Sequence, residues 1–232
     1  MEKINNVLHE IMEGAPDVSI FGLFSVPNAV AVSWGVMAFL VLISILLTRN
    51  LKKVPSKPQM VLEAGVTVFY DLCKQNLGKH WRVYAPWLGS IALYLLVCNL
   101  TGLLHIPPPT QNLSVTATLA ALSLLLIYGS QFLYQGFWGG LKKFTKPMAF
   151  LLPINLMEVA IRPVALCFRL FGNIVAGFIV MEMIFSIAPA FIPVPLAIYF
   201  DLFDGILQAV VFVFLTILFT HESIHNEEEE HD

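Results

Sequence analysis

Long apolar runs, separated by short polar or proline-rich segments, set the pattern of this chain of 232 residues. A helix needs about 20 apolar residues to cross a hydrocarbon core of roughly 30 Å. Five runs meet that length, and they extend from Val26 to Thr48, Pro86 to Ile106, Leu113 to Tyr134, Met148 to Ala188 and Pro195 to Thr220. The pattern therefore predicts five transmembrane helices.

The fourth run is too long for one upright crossing. Its 41 or so residues would form a helix of about 60 Å, twice the hydrocarbon thickness. We expect this helix to tilt steeply, to bend, or to lie partly in the interface. Pro153 and Pro163 offer bend sites, because proline cannot donate a helical hydrogen bond.

The segment from Gln59 to Leu77 has a different pattern, with apolar and polar residues on separate helical faces. The apolar face carries Leu62, Val66, Phe69 and Cys73, and the polar face carries Glu63, Thr67, Asp71 and Lys74. Such a pattern is typical of a helix that lies in the membrane interface. The fold class is thus an all-α polytopic membrane protein, with residues 1–232 forming one domain.

Composition and charge support a membrane protein and predict its orientation. The chain is 57% hydrophobic and 12% charged, whereas soluble domains carry about 25% charged residues. Ten of its thirteen Lys and Arg residues lie in segments 49–82 and 142–146. With five spans, both segments fall on the cytoplasmic side, which places the N-terminus outside and the C-terminus in the cytoplasm.

Nothing in the sequence predicts a cofactor, a metal site or nucleic-acid binding. The three cysteines, Cys73, Cys98 and Cys167, lack metal-ligand or redox spacing. The phosphate-binding pattern G-x-x-x-x-G-K-S/T is absent from the chain, so nucleotide chemistry is not expected here. The acidic tail from Asn226 to Asp232 is interpreted as a solvated end, with a metal site formed with His221 and His225 as the less favoured alternative.

The charged residues in the fourth run require explanation, because a charge at the bilayer centre is expensive. Glu158 and Arg162 are four residues apart with the acid first, which favours a structural ion pair. Arg169 has no acid three or four residues away, and it shares a helical face with Arg162 and Asn173. Arg169 therefore needs a partner on another chain or a water-filled path.

A second polar group is predicted in the outer half of the membrane. Glu182, Asp201 and Asp204 fall at similar depth, and Asp201, Asp204 and Gln208 would share one α-helical face. Carboxylates clustered in a wall of low dielectric suit proton relay. The alternative is that backbone groups and water simply satisfy these acids.

The segment LLPINLMEVAIRPVALCFRLFGNIVAG, at residues 151–177, resembles the membrane helix that typifies subunit a of F-type ATP synthases. The segments PTQNLSVT and LQAVVFVFLT, at residues 109–116 and 207–216, are also similar to that family. The resemblance implies a non-catalytic proton-channel subunit in a bacterial plasma membrane. It also implies partners: a c-ring, the subunit b peripheral stalk, the remaining ATP synthase subunits and the lipid bilayer.

The resemblance further implies roles for single residues. Arg169 would face a membrane carboxylate on each subunit of the c-ring, and two offset half-channels would deliver and remove protons. Asn173 and Gln208 match family positions, and Arg162 occupies a position that is often basic.

The chain departs from the family in the outer pathway. Phe178 stands where many members carry an acid, and Glu182, one turn further on, is expected to substitute for it. Asp201 occupies a position that is often His or Glu.

Other interpretations remain open from the sequence. A secondary transporter with its own substrate site would move solute without a ring partner, and a purely structural scaffold would tolerate changes at Arg169. If the outer passage does not use Glu182 and Asp201, it would instead follow Asn112, Ser114 and Thr116 of the third span.

Overall fold

The computed structural model describes residues 18–20, 24–49, 57–104, 107–143, 152–187, 195–196 and 198–224. Two short antiparallel strands come first, β1 (Val18–Ile20) and β2 (Phe24–Val26), with Val18 opposite Val26. Six α-helices follow: α1 (Asn28–Thr48), α2 (Lys57–Leu77), α3 (Trp81–Leu100), α4 (Leu113–Lys143), α5 (Leu152–Ile187) and α6 (Gly205–Ile224). A π-helical segment, Ile198–Asp204, leads directly into α6.

The prediction of a helical protein with about five membrane spans is confirmed. Within the described residues, five helical stretches are long and apolar enough to cross a bilayer. One of these stretches, Gln59–Leu100, runs α2 and α3 together. A short 3₁₀ turn, Gly78–His80, separates the two helices, and Gly78 has a φ of 53°, which favours glycine.

Two helix boundaries differ from those expected. α3 begins at Trp81, so Pro86 lies inside the helix rather than at its start. α4 continues past Tyr134 to Lys143, but Gly136 interrupts it with a φ of 70° and a ψ of 167°. The apolar run thus predicts that a transmembrane helix is present, but the helix itself extends beyond the ends of the run.

α5 is continuous over 36 residues and contains Pro163. At about 1.5 Å per residue such a helix is roughly 54 Å long, which exceeds the hydrocarbon thickness of roughly 30 Å. The expected tilt or bend therefore remains a geometric requirement of this helix once it lies in a bilayer.

The start of the last span is where the prediction of a regular α-helix was wrong. Ile198–Asp204 is π-helical, and the α-helix begins only at Gly205. A π-helix bonds each residue to the fifth one along instead of the fourth, so it has more residues per turn. Side chains before and after Asp204 consequently follow different angular spacings.

The core of the bundle lies between α3, α4, α5 and α6. Its fully buried side chains include Leu88 and Leu95 of α3, Leu170 of α5, and Phe212 and Ile217 of α6. α2 adds Cys73 and Leu77 to this core, while its predicted polar face, Glu63, Thr67, Asp71 and Lys74, is exposed. α1 lies at the periphery, and among its side chains only Ser33 and Val36 are buried.

Candidate functional site

Arg162 of α5 lies between two carboxylates. Its Nη2 atom lies 3.0 Å from Glu158 Oε2, one turn earlier on α5, and 2.7 Å from Glu222 Oε1 on α6. The guanidinium also lies over the ring of Phe219, 4.8 Å from its centroid. Arg162 thereby joins α5 to the C-terminal turns of α6, a cross-helix contact that the sequence did not predict.

Arg169, two turns further along α5, has a different environment. Its side chain is exposed. Among the residues that the structure describes, no carboxylate forms an ion pair with it. α5 therefore presents an always-charged guanidinium on the outside of the bundle, within a helix apolar enough to cross a membrane.

Packing fixes this outward direction. Leu166 and Leu170, on either side of Arg169 in sequence, are buried in the core. Between them, Cys167 Sγ lies 3.6 Å from Thr116 Oγ1 of α4. These contacts set the rotation of α5 about its axis, so Arg169 cannot turn inward without moving Leu170 out of the core.

Small residues surround Arg169 on the surface of α5. Ala165, Gly172 and Ala176 are exposed and lie close to the angular position of Arg169. A Cβ atom added to Gly172 would meet no other atom within 4 Å. Small residues allow another helix to approach closely. Asn173, half-buried one turn after Arg169, lies at the edge of this surface.

Asp204 and Gln208 lie at the beginning of α6. Asp204, the last residue of the π-helical segment, is half-buried. Gln208 is only 6% exposed, and its Nε2 atom has no hydrogen-bond partner among the described residues. A buried amide donor without a protein partner is uncommon, so this region of α6 differs from the apolar core below it.

The other two predicted acids are placed by their backbones alone. Glu182 lies in the last turns of α5, and Asp201 lies within the π-helical segment. The positions of their side chains lie outside what the structure describes. The shared face of Asp201, Asp204 and Gln208 was derived for an α-helix, and the π-helical spacing rotates Asp201 relative to Gln208.

The alternative polar residues of the third span have local structural roles. Asn112 Oδ1 accepts a hydrogen bond of 2.9 Å from the backbone N–H of Ser114 at the start of α4. Thr116 Oγ1 donates to the Leu113 carbonyl at 3.0 Å and is fully buried. These bonds stabilise the beginning of α4.

Glu222 and Asn99 are among the residues that bind across helices and that sequence reasoning missed. Asn99 of α3 donates from Nδ2 to the backbone carbonyl of Gly205 at 2.8 Å. A polar residue inside an apolar span is the only signal that would have drawn attention to Asn99. No cluster of three metal-ligating side chains occurs among the described residues, and His225 and the acidic tail lie outside them.

The chemistry available to this arrangement is electrostatic. A fixed cation on the outer surface of a membrane helix can stabilise an anionic carboxylate that would otherwise be protonated in lipid. The half-buried Asp204 and the Gln208 donor, which no described residue bonds, form a separate polar region at the start of α6. The described part of the chain therefore combines an outward-facing cation with an internal polar region.

Comparison with known proteins supports the resemblance seen in the sequence. The profile of the family described as ATP synthase A chain matches residues 30–221. The ATP synthase subunit a of Moorella thermoacetica is 33% identical over 211 residues, which cover 90% of this chain and 96% of that protein. A protein of Propionigenium modestum named ATP synthase subunit a, sodium ion specific, is 32% identical over 225 residues, covering 89% of this chain and 78% of that protein.

Proposed function

Because the chain belongs to the ATP synthase A chain family, we propose that it couples proton flow to rotation through Arg169, which faces the carboxylates of a c-ring. As a member of this family, it is an integral membrane component of the ion-translocating sector of ATP synthase. It works in a complex with other ATP synthase subunits.

The observation that carries the proposal is the contrast between the two arginines of α5. Arg162 has two carboxylate partners, whereas Arg169 is exposed and forms no ion pair with a described residue. An unpaired guanidinium in hydrocarbon is unfavourable. A membrane carboxylate on another subunit would supply the partner, and the small residues around Arg169 would let that subunit approach closely.

The proposed mechanism follows from the energetics of a carboxylate in lipid. Such a group is protonated in lipid, but opposite Arg169 it can be ionised, because the guanidinium compensates its charge. A ring site can then pass Arg169 only after it loses its proton into one half-channel. It regains a proton from the other half-channel, so net proton flow requires rotation.

For the outer half-channel we propose Glu182, Asp201, Asp204 and Gln208, with Asn173 beside Arg169. The half-buried Asp204 and the buried donor of Gln208, which has no partner in the described part of the chain, support this assignment at the start of α6. Glu182 is four residues beyond Phe178 in α5 and would act in place of the acid expected there. Glu158, Arg162 and Glu222 hold α5 and α6 together and serve a structural role.

The proposal includes partners, orientation and the coupling ion. The chain would be a non-catalytic stator component that contacts the c-ring and the subunit b peripheral stalk. Its N-terminus would be outside and its C-terminus in the cytoplasm of a bacterium. We propose protons as the ion, although the P. modestum relative is named sodium ion specific, because carboxylates in an apolar wall suit proton relay.

Substitution of Arg169 tests this function. Arg169→Ala is expected to abolish ATP-driven proton pumping by the assembled complex in sodium-free vesicles. Arg169→Lys should fail as well, because an ammonium group differs in reach and deprotonates more readily when desolvated. Arg162→Lys is the matched control and should keep most of the pumping. Normal coupled pumping by Arg169→Ala would refute the proposal.

A further inference from the structure

A buried polar contact joins α3 to the first residue of α6. Asn99 is 6% exposed, and its Nδ2 atom donates to the carbonyl of Gly205 at 2.8 Å. The two residues are 106 positions apart in sequence. Because an amide group in an apolar interior is costly unless it is bonded, this contact fixes where α3 meets α6.

The contact requires glycine at position 205. A Cβ atom added there would lie 2.9 Å from Asn99 Cβ, closer than side-chain atoms normally approach. Glycine thus allows the backbone of α6 to come within hydrogen-bonding distance of the Asn99 amide. The two residues are fitted to each other by both a hydrogen bond and a steric limit.

The contact lies at a change of helical geometry. Gly205 is the residue at which the π-helical segment ends and α6 begins. A change from π to α spacing alters the direction of every side chain before it relative to every side chain after it. Asp204 lies immediately before this junction and Gln208 lies one turn after it.

Two further atoms at the same junction lack protein partners. Asn99 Oδ1, an acceptor, and Gln208 Nε2, a donor, are buried without a hydrogen-bond partner among the described residues. Buried polar atoms of this kind normally form hydrogen bonds with buried water. One of these atoms belongs to the α3 residue that contacts Gly205, and the other lies one turn after Gly205 on α6. Such a pair fits the wall of a hydrated passage better than an apolar helix contact.

We propose that Asn99 is a positioning residue for the outer half-channel, holding the π-to-α junction at Gly205 so that Asp204 and Gln208 keep their directions. This inference rests on the proposed function of α6. Asn99 does not carry a proton itself. It acts through the backbone of Gly205 on the residues that line the passage.

The first test removes the donor. Asn99→Leu keeps a similar volume but cannot bond the Gly205 carbonyl, and Asn76→Leu is the matched control. Asn76 Nδ2 also donates to a carbonyl at 2.8 Å, but that carbonyl belongs to Leu72 on its own helix, α2. The assay is acid-driven ATP synthesis by the whole complex in vesicles, measured at several pH values on the outer, acidic side.

For Asn99→Leu we expect roughly fivefold slower synthesis. This is the rate change that corresponds to the loss of one hydrogen bond, here the bond that positions Gly205. The acid-side pH of half-maximal rate should also fall, because an impaired outer passage needs a higher proton concentration. Asn76→Leu should leave this pH unchanged. If Asn99→Leu does not assemble, Asn99→Ser, which keeps a short donor, should assemble and show the same shift to a smaller extent.

The second test uses the steric limit. Gly205→Ala should slow synthesis, whereas Gly129→Ala, at a glycine of α4 with no atom within 4 Å of an added Cβ, should not. Combining Gly205→Ala with Asn99→Gly removes the clash, so the double variant should be no slower than Asn99→Gly alone.

The result that would overturn the inference is an assembled Asn99→Leu complex with the rate and acid-side pH profile of the parent. Additive effects of Gly205→Ala and Asn99→Gly would overturn it too. Either outcome, found together with loss of pumping in Arg169→Ala, would leave the proposed function intact. Normal pumping in Arg169→Ala would instead refute the function on which the inference rests.

Discussion

At the scale of single residues, the two arginines of α5 differ in their ion pairing although they lie on the same helix. Arg162 is 18% exposed and is shared by carboxylates that are themselves more than half exposed, at 54% and 56%. Exposed ion pairs of this kind contribute about 0–1 kcal/mol each. The Arg162 cluster therefore links α5 to α6 with only a small gain in stability.

The sequence predicts part of this site, and the reason is local. Spacings of three and four residues identify contacts within a helix, so they indicate Glu158 beside Arg162 and the isolation of Arg169 from nearby acids. They give no information about partners on other helices. Glu222 is 60 residues from Arg162, and Asn99 is 106 residues from Gly205. Such contacts depend on which helices pack together and cannot be predicted from spacing.

Glu182 is the residue whose proposed role is most specific to this chain, and the prediction for it concerns proton flow. Glu182→Gln should slow acid-driven ATP synthesis in vesicles without preventing assembly, because it removes a carboxylate from the proposed outer passage. Phe178→Glu combined with Glu182→Leu should restore much of the rate. Positions 178 and 182 are four apart in the continuous helix α5 and lie on nearly the same face.

Coupling to the second acid provides the control for this experiment. If Glu182 and Asp201 share one passage, the effects of Glu182→Gln and Asp201→Asn should be non-additive. Full activity in the double variant would place the passage elsewhere, with Asn112, Ser114 and Thr116 as the remaining candidates.

At the scale of elements, hydrocarbon thickness explains why helices could be predicted and their details could not. The bilayer sets a minimum apolar length, and α1, α4 and α5 begin within a few residues of the predicted boundaries. The π-helical segment Ile198–Asp204 is as apolar as an α-helix in the same place would have to be. Hydropathy therefore cannot distinguish the two, and only the packing of α3 against Gly205 indicates where the change occurs.

The amphipathic helix α2 was predicted for a different physical reason. Its faces alternate with the period of an α-helix, and the structure buries Cys73 and Leu77 while exposing the charged side. Val66, expected on the apolar face, is 44% exposed. Leu62 and Phe69, on the same predicted face, are half-buried, so the bundle covers that face only in part.

At the scale of the whole molecule, α5 has one side packed in the bundle and one side exposed in the described part of the chain. Its inner side is held by Leu166, Leu170 and the pair Cys167–Thr116. Its outer side presents Arg169 among apolar and small residues. An inner side packed in the bundle and an outer side of small and apolar residues fit the proposed function, in which one charge stays in place while another subunit moves past.

The predicted orientation of the chain can be tested by labelling. Single cysteines at Ser56 and Lys143, in a variant without the native cysteines, should react with a membrane-impermeant maleimide from the cytoplasmic side. A cysteine at Gln111 should react from the outside, because basic segments stay in the cytoplasm. Labelling at Ser56 from the outside would reverse the assignment and would exchange the outer and inner half-channels.

The most direct measurement of the central claim is a disulfide cross-link between α5 and the ring. In a cysteine-free background, Ala176→Cys would be paired with a cysteine next to the membrane carboxylate of the ring subunit. Val41→Cys on α1 serves as a control, since Val41 is 59% exposed on a helix at the periphery of the bundle. Mild oxidation of the assembled complex is expected to cross-link the Ala176→Cys chain to the ring subunit and to block ATP-driven pumping until the disulfide is reduced. Cross-linking from Val41→Cys but not from Ala176→Cys would contradict the account, because the ring would then face a different surface from the one that carries Arg169.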